Sequence, residues 1–290
     1  MAGIELVRTV SDLRASVARR RSRGETIGVV PTMGALHDGH IALVRRARQE
    51  ADCVIVTIFV NPTQFAAGED LSKYPRTEEA DLERLSTAQA DIVFAPGPAE
   101  IYPPGFATSI SLEGPAVAGL EDRFRPEHFG GVATIVAKLF LQSGADIALF
   151  GEKDYQQLAV VRRMAADLDI PIRVIGLETV RDADGLALSS RNRYLGAGER
   201  ATAPLLHRTL VTAAERIAAG DAIEAVLGQA RAALAEAGFA LDYLEARDAA
   251  SLAPVDRLEG APLRLLVAAR LGGTRLIDNI AIPSGPVRRA

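Results

Sequence analysis

Cysteine is nearly missing from this 290-residue chain: only Cys53 is present. No intrachain disulfide can form, which fits a reducing compartment. Cys53 stands in a mostly apolar run, where a small buried core residue is a better reading than a catalytic thiol. There is no excess of positive charge. Lys and Arg number 33 against 37 Asp and Glu, a net charge of −4, whereas a nucleic-acid binder normally shows the opposite balance. No apolar run approaches the roughly 20 residues that cross a bilayer, and the N-terminus lacks a signal-peptide pattern. Internal repeats and low-complexity segments are absent as well. These absences lead us to expect a soluble, cytoplasmic protein with neither nucleic acid nor membrane as a partner.

What is present is the makings of a large core. Hydrophobic residues are 48% and charged residues 24%, and the length suits one large or two ordinary domains. The organising stretch is 26–47. An apolar run at 27–30 reads as a buried strand, Pro31 and Gly34 break it, and Ile41, Leu43 and Val44 begin a helix. Between them lie His37, Asp38, Gly39 and His40. A strand, a glycine turn and a helix start suit a phosphate, because free N–H groups at the helix N-terminus point outward. Two histidines three apart share one face of the first turn. As a zinc site the pair is poor, having no third ligand nearby.

Read in order, Ser11 is the expected N-cap of a first helix ending near Gly24. Residues 53–60 are β-branched and apolar, as in a strand covered on both faces. Pro62 stops it and leaves Asn61 and Gln64 at its carboxyl end, where open α/β sheets bind ligands; a plain Asn-Pro turn is the alternative. Residues 77–89 read as a helix and 91–95 as a short strand. The connection 96–129 is irregular and long, and such connections are usually functional. Its Arg123, Arg125 and His128 read as contacts for an anion, as surface charges or as contacts to a second subunit. Residues 131–142 read as a helix and 146–150 as a strand ending in Gly151, Glu152, Lys153 and Asp154, with Gln156 and Gln157 opening the next helix. Lys153 is either a solvated loop lysine or a point charge for phosphates. Residues 172–177 close the strand series.

Alternating strands and helices imply a doubly wound parallel sheet, a Rossmann-like N-terminal domain over 1–179. Residues 180–290 read as a smaller α+β lid domain. It opens with the turn-rich 181–185 segment and with Leu188, Ser189, Ser190, Arg191 and Asn192, which read as a phosphate clamp or a helix N-cap. Residues 199–219 and 222–235 read as amphipathic helices, and 241–246, 265–269 and 274–279 as strands. His207 is most simply a structural residue of a helix, and 287–290 a frayed tail.

Met33 through His40 resembles the H-x-G-H signature of the nucleotidylyltransferase superfamily. The blocks 59–65, 151–158 and 188–192, in that order and spacing, narrow the resemblance to the pantothenate synthetase family. Asp38 stands where that family often has Glu, and Thr63 at a position that varies. The resemblance implies ATP-dependent condensation of (R)-pantoate with β-alanine through a pantoyl adenylate, releasing pyrophosphate and AMP. It implies ATP contacts at Met33, Gly34, Ala35, Leu36, His37, Asp38, Gly39, His40, Gly151, Glu152, Lys153, Asp154, Val180, Leu188, Ser189, Ser190 and Arg191. It implies pantoate contacts at Gln64 and Gln157, with Gln64 also near β-alanine and Asn61 beside them. His40 would be the proton donor, with His37 and Lys153 offsetting phosphate charge. ATP enters as a substrate, Mg²⁺ is held mainly through its phosphates, and the assembly is a homodimer. The competing readings are a nucleotidyltransferase acting on another small acid or phosphorylated metabolite, and a nucleotide-binding regulator without catalysis.

Overall fold

β-Branched runs become the centre of a parallel sheet in the computed structural model, which describes residues 3–65, 74–257 and 261–283. The expected tail at 287–290 lies outside the described residues. The chain divides into two units, one of residues 1–151 and 156–178, the other of residues 152–155 and 179–290.

In the first unit six strands run parallel: β1 (Glu5–Val7), β2 (Ile27–Thr32), β3 (Cys53–Ile58), β4 (Ile92–Phe94), β5 (Ile147–Gly151) and β6 (Arg173–Leu177). Their order in the sheet is β1-β4-β3-β2-β5-β6. β2 therefore lies between β3 and β5, where the winding reverses, and the carboxyl ends of these three strands are neighbours.

Strand alternation sorts the core into two layers. Ile27, Val29, Cys53, Ile55, Ile92 and Phe94 face α1 (Val10–Arg21), α6 (His128–Ser143) and α7 (Tyr155–Asp167). Val30, Val54, Val56, Val93 and Leu149 face α2 (Asp38–Glu50) and α3 (Glu78–Thr87). Each fully buried Ile or Phe contributes about 1.5–3 kcal/mol relative to exposure. Cys53 is fully buried, and desolvation pushes its thiol up to about 12, so it stays protonated and inert.

Several expected boundaries move. The first helix is capped by Thr9, not Ser11: the Thr9 hydroxyl accepts from the Asp12 N–H at 3.1 Å. β1 was not anticipated, being three residues at the sheet edge, paired only with β4. β2 runs through Pro31, because its ladder with β3 continues to Thr32 after the β5 ladder has ended. The long connection contains two short helices, α4 (Pro98–Ile101) and α5 (Glu121–Phe124).

The second unit is an antiparallel sheet of β7 (Phe239–Asp248), β8 (Leu263–Leu271) and β9 (Thr274–Ile282), with β8 central. All three strands are longer than expected. One face packs Leu265, Val267, Ala269, Leu276 and Ile282 against α9 (Leu205–Ala218) and α10 (Ile223–Glu236). The single helix expected over 199–219 is split into α8 (Ala197–Thr202) and α9, because Pro204 cannot continue a helical ladder.

Candidate active site

After Thr32 the chain turns through Gly34 at φ +82° and Ala35 at φ +50°. A Cβ on Gly34 would lie 3.1 Å from both Ile58 Cγ2 and Asp81 Oδ2, so a left-handed backbone and tight quarters both call for glycine. Asp81, on α3 and 2% exposed, holds this turn. Its two carboxylate oxygens accept from the Ala35 N–H at 2.9 Å and the Leu36 N–H at 2.8 Å. Nothing in the sequence near residue 81 signals this role, because the partners are more than 40 positions away.

The two histidines cap α2 reciprocally. His37 Nδ1 accepts from the Gly39 N–H at 3.2 Å, and His40 Nδ1 accepts from the His37 N–H at 3.2 Å. The rings lie 4.0 Å apart, tilted by 40°. Because each Nδ1 is an acceptor, the proton of each neutral ring sits on Nε2, which becomes a donor. The backbone N–H groups of Ala35, Leu36, His37 and Gly39 are all engaged. The imidazoles thus accept backbone N–H groups on the Nδ1 edge and carry their own N–H on the Nε2 edge. Asp38 is exposed and ion-paired with Arg84.

The loop after β3 meets this turn directly. Gln64 donates from Nε2 to Met33 Sδ at 2.9 Å, and its Oε1 accepts from Asn61 Nδ2 at 3.2 Å. Asn61 is 1% exposed and fully engaged. Its Oδ1 accepts from the Thr63 N–H and hydroxyl and from the Tyr102 hydroxyl at 2.8 Å, while Nδ2 also donates to the Gly131 carbonyl. Burial pushes the Tyr102 phenol up, which keeps it a neutral donor. Asn61 thus braces the turn that carries Gln64 rather than reaching outward.

Arg125 and His128 close on the same turn. His128 Nδ1 donates to the Gln64 carbonyl at 2.9 Å, joined there by Arg125 at 3.2 Å, and His128 Nε2 accepts from Arg125 at 3.2 Å. Both residues thus brace the backbone of Gln64. Gln156, 3% exposed, ties the long connection down through the Glu121 N–H, the Pro115 carbonyl and Asp122. Its neighbour Gln157 is half-buried on the first turn of α7, and its amide makes no hydrogen bond among the described residues.

In the second unit the candidate residues form two segments. Val180 and Leu188 are brought together by a tight hairpin, in which the Leu188 N–H donates to the Val180 carbonyl at 3.0 Å and Gly185 takes φ +94°. Ser189 then caps a 3₁₀ turn over Ser190–Tyr194 by accepting from the Arg191 N–H, so the N-cap reading describes Ser189. The other segment is Glu152–Asp154, where Lys153 is partly buried and lies 3.6 Å from Asp154. Gly151 ends β5 in the first unit.

The family model described as pantoate-beta-alanine ligase matches residues 5–281. A pantothenate synthetase of Nitrobacter hamburgensis is 56% identical over 277 residues, spanning 96% of this chain and 98% of the relative. One from a Bradyrhizobium species is 57% identical with the same coverage. The crystal structure of a Thermus thermophilus pantothenate synthetase superposes with a TM-score of 0.89 at 48% identity, covering 96% of this chain and 99% of that one. A Francisella tularensis pantoate-beta-alanine ligase, solved with beta-gamma ATP and beta-alanine, gives a TM-score of 0.79 at 32% identity, with 98% and 100% covered.

Proposed function

The chain belongs to the pantoate-beta-alanine ligase family, and we propose that its ligation is organised on the reciprocal histidine cap that follows β2. A carboxylate oxygen of (R)-pantoate attacks the α-phosphorus of ATP, and pyrophosphate leaves. The neutral amine of β-alanine then attacks the acyl carbon of pantoyl adenylate, AMP leaves, and the nitrogen gives up a proton to form pantothenate.

The first step brings two anions together, and its transition state gathers charge on phosphate oxygens. The observation that carries the reading is that His37 and His40 both have Nδ1 occupied by backbone N–H groups. Their Nε2–H donors are therefore preoriented, and such donors act most strongly when no reorganisation is needed. His40 is the proton donor to the departing phosphate oxygen, with His37 beside it. Met33, Gly34, Ala35, Leu36, Asp38 and Gly39 form the rest of the nucleotide loop. Gly151, Glu152, Lys153, Asp154, Val180, Leu188, Ser189, Ser190 and Arg191 are the further ATP residues, Lys153 and Arg191 as cations.

Gln64 and Gln157 bind pantoate, with Gln64 also serving β-alanine. Neutral amides hold hydroxyls and carboxylate without locking the nucleophile in an ion pair. Asn61 acts through Gln64. The residues 180–290 form the lid, excluding water from a hydrolysable anhydride.

Among the described residues no three His, Cys, Asp or Glu side chains gather as a metal set. Mg²⁺ carried on the ATP phosphates would supply further charge neutralisation, since this ion is commonly held by substrate phosphates and water with few protein ligands. No described helix is long and apolar enough to cross a membrane. We place the enzyme in the cytoplasm as a homodimer; the unpaired Cys53 supports the first assignment and the family relationship the second.

The test is direct. With ATP and pantoate alone, one pyrophosphate per active site is expected in a single turnover, and adding β-alanine should release AMP and pantothenate in equal amounts. Turnover only with a phosphorylated acceptor, or nucleotide binding without turnover, overturns the reading.

A further inference from the structure

Two consecutive residues of β9, Asp278 and Asn279, are almost fully buried, 4% and 2% exposed, although both are polar. Successive side chains of a strand leave on opposite faces, and each of these two holds a different candidate ATP segment of the second unit. Asp278 points to the α9 face. It receives a bidentate pair from Arg181 at 2.7 and 2.9 Å. Arg181 also donates to the Gly185 carbonyl at 3.1 Å, which fixes the hairpin that joins Val180 to Leu188.

Asn279 points the other way. Both N–H bonds of its amide are used, donating to the Glu152 and Lys153 carbonyls at 2.8 Å each. Its Oδ1 accepts from Arg264 Nε at 2.5 Å. Arg264 is itself immobilised: it pairs with Glu152 at 2.8 Å and stacks on Tyr155 at 3.9 Å. The Tyr155 hydroxyl donates to the Ala249 carbonyl at 2.9 Å. The 3₁₀ turn over Glu152–Asp154 is three residues long and lies between β5 and α7. Two of its three carbonyls are held by Asn279.

We propose that Asn279, held by Arg264, is a positioning residue for Lys153 in the adenylation step, and that Asp278 does the same for the Val180–Leu188 hairpin through Arg181. This rests on the ATP role given above to Lys153 and to the hairpin. A displacement of about 1 Å at a charge-bearing group can cost on the order of 100-fold in rate.

The experiment is a double-mutant cycle on pantoate-dependent pyrophosphate release in single turnover. Lys153→Ala alone must slow that step; a wild-type rate there defeats the ATP role of Lys153, not the clamp. With that established, Asn279→Ala should slow the step by roughly 10- to 100-fold and raise KM for ATP, leaving KM for β-alanine unchanged. In the Lys153→Ala background, Asn279→Ala should add less than about twofold, because the group it positions is gone. Arg264→Lys keeps the charge opposite Glu152 but loses the Nε donor, and should reproduce part of the Asn279→Ala loss with unchanged circular dichroism. Equal losses from Asn279→Ala with and without Lys153, or a rise in KM for β-alanine matching that for ATP, would overturn the proposal.

Discussion

A Cβ on Gly131 would stand 2.2 Å from the carbonyl oxygen of Thr63. Helix α6 therefore touches the turn bearing Gln64 backbone to backbone, with the Asn61 amide bridging to the Gly131 carbonyl at 3.2 Å. Gly131→Ala should push that turn away. The cost should be about 1–3 kcal/mol of stability, as for overpacked cores. KM for pantoate should rise at least tenfold while KM for ATP changes little, which steady-state kinetics and a melting curve would show together.

Asp81 accepts two backbone N–H groups, one on each oxygen. Asp81→Asn turns one acceptor into a donor facing a donor, inside the protein. We expect a loss of about 1–3 kcal/mol and weaker ATP binding, measured by calorimetry, without loss of the α2 helix.

The histidine cap separates structure from chemistry. Asparagine is a strong N-cap, so His37→Asn should keep α2 and lose only the Nε2 donor. His40→Ala loses the donor and one half of the cap. Both should slow adenylate formation by on the order of 100-fold or more, His40→Ala the more severely, with melting temperatures within a few degrees of the parent. A wild-type burst in His40→Ala would remove that residue from the proton-donor role.

His207 should report on the second unit. Burial, and then the nearby Arg181 charge, hold its imidazole below the ordinary value of 6.5, against a weaker pull from Asp278 at 4.0 Å. Its Nδ1 is buried without a hydrogen-bond partner. The unfolded chain then binds the proton more readily than the folded one, so stability is greatest above 6.5 and falls as pH drops from there toward the lowered folded value. The second unit's melting temperature should decline as the pH is lowered below 6.5, and His207→Gln should flatten that slope.

The histidine turn could be found in the sequence because its signal is local: an apolar run, a glycine, two histidines and a helix start follow one another within a single short stretch. Asn61 and Gln64 are legible as residues that follow the carboxyl end of β3, and Lys153 as one that follows β5. Their supports were not legible. Asp81, Arg125, His128 and Asn279 act over 45 to 127 positions of separation, and no periodicity encodes such partnerships. β1 escaped because three residues give no measurable alternation. Pro204 marks the split within an otherwise alanine-rich, helix-favouring stretch.

The polypeptide passes from one unit to the other three times, after residues 151, 155 and 178. Cutting the chain at the last of these would leave Glu152 and Lys153 with two orphaned carbonyls and Glu152 without its guanidinium. An isolated N-terminal half would thus lose the side-chain contacts that Arg264 and Asn279 make with the lysine loop.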